Sequence, residues 1–276
     1  MVVAGTRSPL EACETRAEIW ARNWKGEGTA MRRLLVCGGI DGRESAVETL
    51  KEMISEHRPE AVLFVGGLCG RDQGGEADDL TPQQVQIWET FFKTLGESGV
   101  YTAFLPGWYD TPIDEFLQAA MNAEVDYSNL HCVHGTLMEE ADVAICGIGG
   151  EIAENGSCKG DHWKRSRNSA EYYLRRLWAS EKPRKFLLLG TPPTGALGGD
   201  NGSAVVGELI DSYHPDLCAV LGDSAHRGVE RVASTYVVNP GRLSDGCAAI
   251  FDWSKPADER FTPIGAEQPV APASQQ

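Results

Sequence analysis

The chain has 276 residues, 42% of them hydrophobic, and a net charge of -15 at pH 7. That is enough apolar material for one large core or two small ones, and too much for a chain disordered throughout. The charge excludes a duplex nucleic-acid partner, whose phosphates most of this surface would repel.

Residues 1–30 hold a candidate helix, Leu10 to Trp24, with no clear partner segment, and read as a disordered leader. Lys25-Gly26-Glu27-Gly28 lies a few codons before Met31 and is encodable by a purine-rich run, so a natural start at Met31 is an equal expectation. The organised region begins at Leu34-Leu35-Val36-Cys37-Gly38-Gly39-Ile40-Asp41-Gly42-Arg43. The apolar run is too short for a buried helix and reads as an inner parallel strand. Glu44 to His57 then carries Val47, Leu50, Met53 and Ile54 at helical spacing. The same grammar recurs in Ala61 to Val65 before Gly66-Gly67, in Val100 to Leu105 before Pro106-Gly107, and in Phe186 to Leu189 before Gly190-Thr191. Four strand ends therefore offer four loops to one rim, where ligands of such sheets bind.

Between these units, Leu68 to Leu80 is a polar loop. Thr81-Pro82 starts a helix with Val85, Trp88, Phe91, Phe92 and Leu95 on its buried face, and Thr111-Pro112 starts another that runs through Met121. Leu130 to Val133 and Ala141 to Ile148 read as two antiparallel strands joined by a turn containing Glu139-Glu140. Gly149 to Asn168 is a long polar loop with Cys158, His162 and Trp163. Asn168-Ser169 caps a helix to Ser180, Ser203 to Tyr213 is a helix, and Cys218 to Leu221 is a strand ending in Gly222-Asp223-Ser224-Ala225-His226. Short strands at 229–233, 235–238 and 247–253 close the domain, and 254–276 reads as a disordered tail rich in Pro, Ala and Gln. Parallel units mixed with hairpins favour an α/β fold of two packed mixed β-sheets flanked by helices, over residues 31–253.

Eight scattered cysteines without a Cys-x-x-Cys pair read as reduced core residues. With no apolar run of about 18 residues and no signal-peptide pattern, the expectation is a cytoplasmic protein without a membrane partner.

Leu34–Arg43, Val62–Gly70, Phe104–Asp110, Leu187–Pro193, Asp216–Gly228 and Val238–Gly246 stand in the order of the calcineurin-like metallophosphoesterase motifs. The chain resembles the small microbial branch of that family, with Thr191-Pro192-Pro193, Pro215-Asp216-Leu217 and Val238-Asn239-Pro240-Gly241. The resemblance implies a four-layer sandwich and a two-metal hydrolase site, built from Asp-x-His, Gly-Asp, Gly-Asn-His, a lone His and Gly-His-x-His. Here those positions read Gly39-Ile40-Asp41, Gly66-Gly67, Gly107-Trp108-Tyr109, Gly190, and Gly222-Asp223-Ser224-Ala225. Only Asp41 and Asp223 keep a side chain able to bind metal.

The expectation is a bacterial pseudoenzyme without catalytic residues or a cofactor, binding an unidentified protein or small molecule. Its vestigial pocket would hold Asp41, Trp108, Tyr109, Asp223 and His226, with Trp108 and Tyr109 as hydrophobic fill, and Asp110 would support the loop. The alternative is a rewired phosphoesterase around one divalent metal such as Mn or Zn, helped by Glu151, Glu154, Asp161 and His162. A dinucleotide-binding reading is weak, because the glycine spacing is wrong and Gly66-Gly67 replaces the ribose-binding acid.

Overall fold

The computed structural model describes residues 31–71, 80–154 and 162–265. The first half alternates strand and helix: β1 (Arg33–Cys37), α1 (Glu44–His57), β2 (Ala61–Phe64), α2 (Pro82–Ser98), β3 (Tyr101–Phe104), α3 (Ile113–Asp126) and β4 (Leu130–Cys132). The second half contains β5 (Leu137–Glu140), β6 (Val143–Ile148), β7 (Glu151–Ala153), β8 (Lys164–Ser166), α4 (Arg167–Ala179), β9 (Arg184–Leu189), α5 (Ala204–Tyr213) and β10 (Leu217–Val220). It closes with β11 (Gly228–Val232), β12 (Thr235–Asn239), β13 (Ala248–Asp252) and β14 (Phe261–Ile264).

Two six-stranded sheets result, in the orders β14-β13-β1-β2-β3-β4 and β11-β12-β10-β9-β6-β5. Strands β1 to β4 are parallel, as are β6, β9, β10 and β12, while the flanking strands run antiparallel. Alternation along each strand divides the core into layers. In β1, Leu35 and Cys37 face α1 to α3, whereas Leu34 and Val36 join the layer between the sheets. In β9, Phe186 and Leu188 enter that middle layer, and Leu187 and Leu189 pack with α4 and α5. Three apolar layers thus separate helices, sheet, sheet and helices, the four-layer sandwich expected from the sequence. Helix α2 has a complete capping box: Thr81 and Gln84 bond reciprocally, and the Gln84 amide also donates to the Thr111 carbonyl at 2.7 Å.

Several boundaries differ from the sequence reading. Glu139 and Glu140 lie in β5 itself, an edge strand in which both are exposed, and the reversal falls at Ala141-Asp142. β4 pairs with β3 in the other sheet, so the chain crosses between sheets at 133–136. Helix α3 continues five residues past Met121, with Pro112 rather than Thr111 at its N-cap, and Ser166 caps α4. In α2, Ile87 is buried and Val85 only half-buried. The polar loop after Gly149 contains the paired strands β7 and β8. The segment from 254 is not a tail throughout, because β14 adds an antiparallel edge to β13. The leader and residues 266–276 lie outside the described residues.

The crossing between sheets half-buries His134. Its Nδ1 accepts the Gly149 N–H at 3.0 Å, its ring packs edge-on to Trp163, and the Arg165 guanidinium stands near Nε2. A second proton would set donor against donor there. Burial, with the Arg165 charge, pushes His134 down to about 3, and burial pushes His131 of β4 down to about 4, from an ordinary 6.5. The unfolded chain therefore takes up protons first on acidification. The contribution of these two residues to stability is full above about pH 6.5 and falls as pH drops toward 5, with a slope approaching ~1.4 kcal/mol per pH unit for each histidine. Urea denaturation at pH 7, 6 and 5 should show this fall, and His134→Gln should flatten it; equal slopes for the two proteins would refute the assignment to His134.

Candidate functional site

The turns after β1, β2 and β3 touch backbone to backbone. Gly39 and Ile40 donate to the carbonyls of Gly66 and Gly67 at 2.9 and 2.7 Å. A Cβ on Gly66 would lie 2.9 Å from the Gly107 backbone, and one on Gly107 would lie 2.2 Å from the Gly67 nitrogen. Gly66 and Gly67 also take φ of 94° and 81°, which favours glycine. Asp110 clamps the turn after β3 to the turn after β2. Its carboxylate accepts N–H groups from Gly107 at 2.6 Å, Cys69 at 2.7 Å and Leu68 at 3.1 Å. Complete burial pushes its pKa up, against the pull of those donors. Asp110 thus has the loop-supporting contacts expected of it.

Above these turns opens a cavity of about 610 Å³. Asp41, Trp108, Tyr109 and Asp223 all line it, together with Gly67, Gly190, Gly222 and three arginines, Arg43, Arg71 and Arg242. At its floor Arg242 Nε donates to Asp41 Oδ2 at 2.7 Å and Arg242 Nη2 to Asp41 Oδ1; Ser244 Oγ donates to Asp41 Oδ2 at 2.7 Å. Burial opposes the Arg242 charge, but the hydrogen bonds and charge of Asp41, with Asp223 and Asp245 behind, hold its pKa above the ordinary arginine value. Asp41 takes a left-handed φ of 53°, a conformation that Asp tolerates. Asp223 accepts from Asn201 Nδ2 at 2.8 Å.

A divalent metal does not fit the described residues. A Cβ on Gly39 would meet the Arg242 side chain at 3.0 Å, one on Gly67 would meet Gly39 Cα at 3.1 Å, and one on Gly190 would meet the Gly150 carbonyl at 2.9 Å. Asp41 is committed to Arg242 and Ser244. Among the described residues no group of three or more His, Cys, Asp or Glu side chains is placed to hold a metal ion.

Trp108 and Gly190 complement each other: the indole N–H donates to the Gly190 carbonyl at 2.7 Å. The indole is half-buried rather than filling the cavity, and His162 stacks on it with ring centroids 5.5 Å apart. His162 also bonds Glu151, which Lys164 approaches at 3.1 Å. Burial of Glu151 works the other way, but His162 and Lys164 together bring its pKa down. Of the suggested substitute ligands, Glu151 and His162 are therefore joined beside Trp108, Glu154 is 3.9 Å from Arg167, and Asp161 lies outside the described residues. His226 is not brought to the cavity lining. Its Nδ1 faces the Ala196 carbonyl at 3.1 Å, and its ring leaves no room for a Cβ on Gly199. Sequence reasoning missed the three arginines. Arg242 follows directly on Val238-Asn239-Pro240-Gly241, which placed it at the rim but gave no sign of its partner.

The description of the calcineurin superfamily of metallophosphoesterases matches residues 28–258. The chain belongs to that family. It is similar in structure to the protein TT1561 of Thermus thermophilus, at 27% identity and a TM-score of 0.73, over 85% of this chain and 98% of that one. A second solved structure is 26% identical, with a TM-score of 0.74 over 84% and 98%. No curated protein matches the chain.

The Asp41 and Arg242 side chains are only 17% and 25% exposed, so removing one partner leaves a largely buried charge. Arg242→Met and Asp41→Asn should each cost about 2 kcal/mol, and the double variant less than the sum. Urea denaturation of the four proteins measures the coupling; strict additivity would show that the pair does not interact.

Proposed function

We propose that this chain is a binding module that keeps the metallophosphoesterase fold and its rim but does not hydrolyse phosphate esters. The observation that carries the reading is Arg242, whose guanidinium is tied to Asp41 and whose side chain lies against Gly39, where the family's first metal-binding Asp would stand. A two-metal hydrolase uses its ions to hold the phosphate and to lower the pKa of the attacking water. A guanidinium stays protonated at all relevant pH and supplies no such water. The binding site is the cavity walled by Trp108 and Tyr109, and the partner is a small molecule or the surface of another protein. The compartment is the cytoplasm, which the six described free cysteines support, five of them buried. Among the described residues no helix is long and apolar enough to cross a membrane.

A second reading has one observation in its favour: His162 and Glu151 meet beside Trp108, a pair that a mononuclear phosphoesterase could use. Lys164 sits on the same carboxylate oxygen and makes the pair a poor metal ligand. Elemental analysis of protein from manganese- and zinc-supplemented cells separates the two, alongside hydrolysis of a chromogenic phosphodiester. The binding-module reading expects substoichiometric metal and turnover no greater than that of an Asp41→Ala, Asp223→Ala double variant. Near-stoichiometric metal with variant-sensitive turnover would establish the hydrolase instead.

A further inference from the structure

Among the described residues, the charged side chains that line the cavity are opposite in balance to the molecule. Three guanidinium groups, Arg43, Arg71 and Arg242, face two carboxylates, Asp41 and Asp223, in a protein whose net charge is -15. Arg242 and Asp41 neutralise each other through two hydrogen bonds. Arg43 is different. Among the described residues its guanidinium meets one acceptor, the Ser244 carbonyl at 3.0 Å, which is neutral and leaves most of its five donors to solvent. Arg71 stands beside Tyr109, donating from Nε to the phenol oxygen at 3.0 Å with its Cζ 5.9 Å from the ring centroid. That contact fixes the guanidinium beside the aromatic wall.

We propose that the cavity binds a small organic anion bearing a planar ring, its ring against Trp108 and Tyr109 and its anionic group held by Arg43 and Arg71 without a metal ion. The inference rests on the binding-module reading and names the ligand class of that same site. The volume of about 610 Å³ suits a ligand of this kind, since small-molecule sites span about 300–1,000 Å³. Planar guanidinium groups match the two oxygens of a carboxylate or phosphoryl group, and charge-assisted bonds are the strong ones. Trp108 is steadied by its bond to Gly190 and by His162 stacked on it, so little conformational freedom is lost when a ring packs against it. Asp223, held by Asn201, offers an acceptor for a hydroxyl or amino group on the ring.

Isothermal titration in EDTA tests the proposal with four probes: phenyl phosphate, benzoate, neutral benzamide and inorganic phosphate. One or both ring-bearing anions should bind, and benzamide and inorganic phosphate should each bind at least about tenfold more weakly, a difference of about 1.4 kcal/mol. Whether phenyl phosphate or benzoate is preferred identifies the anionic group. Arg43→Gln and Arg71→Gln should each weaken the ring-bearing anion about tenfold, with Arg43→Lys recovering part of the loss. Trp108→Leu should weaken the ring-bearing anions and leave inorganic phosphate unchanged. Unchanged melting temperatures of the arginine variants confirm that the loss is not unfolding. Equal affinity for benzamide, no binding of any anion, or affinities indifferent to both arginines would each overturn the proposal. Phosphate release from phenyl phosphate, followed with added manganese and with EDTA, keeps the two ideas apart. Metal-dependent release together with EDTA-resistant binding would defeat the non-hydrolytic reading and leave the ligand class standing, whereas no release and no anion binding would do the reverse.

Discussion

The first sheet's share of the rim depends on one buried carboxylate. Asp110 gathers N–H groups from Gly107, Leu68 and Cys69, and so binds the turn after β3 to the turn after β2. The turn after β1 is then drawn in by the donations of Gly39 and Ile40 to Gly66 and Gly67. Because the three turns pack backbone on backbone, no side chain larger than hydrogen fits at Gly66 or Gly107 without displacing a neighbour. The turns beneath the cavity are therefore held by main-chain groups closed on one another and on the Asp110 carboxylate, rather than by the side chains that line the cavity.

The second sheet fastens its loops in a comparable way. Asn239, fully buried at the end of β12, donates from one amide nitrogen to the carbonyls of Leu197, Asp223 and His226 and accepts from the Gly241 N–H. It joins the loop after β9, the turn after β10 and the turn that carries Arg242. An amide has both donors and an acceptor, which neither a carboxylate nor an apolar side chain could offer those neighbours. Arg242 reaches Asp41 because each sheet holds its own turns rigidly and the middle apolar layer holds the sheets together.

Much of the scaffold was legible because buried parallel strands must be apolar on both faces, as Leu34 to Cys37 and Phe186 to Leu189 are. Edge strands carry no such signature. β5 has Glu139 and Glu140, and β14 has Pro263, which an edge tolerates. Both read as turn or tail from composition alone. In the cavity, Asp41, Trp108, Tyr109 and Asp223 were found because they sit in motif positions at strand ends. Arg242 was not, because its meaning lies in a partner 201 residues away. Periodicity reports which face a residue takes but not which distant side chain it meets. His226 shows the converse: proximity in sequence to Asp223 does not put it in the same cavity, since a 3-10 turn at Ser224–His226 carries it toward Ala196.

The guanidinium beside Gly39 also changes how the protein relates to its surroundings. A metallohydrolase acquires its cations after folding and shares them with every other ligand in the cell, so its occupancy follows supply. On the binding-module reading, the cation at the floor is residue 242 itself, one per molecule from the moment of synthesis and matched by Asp41, so it cannot be starved, exchanged or stripped. A guanidinium paired in this way offers no exchangeable ligand, so such a site would gain constancy and give up chemical reach.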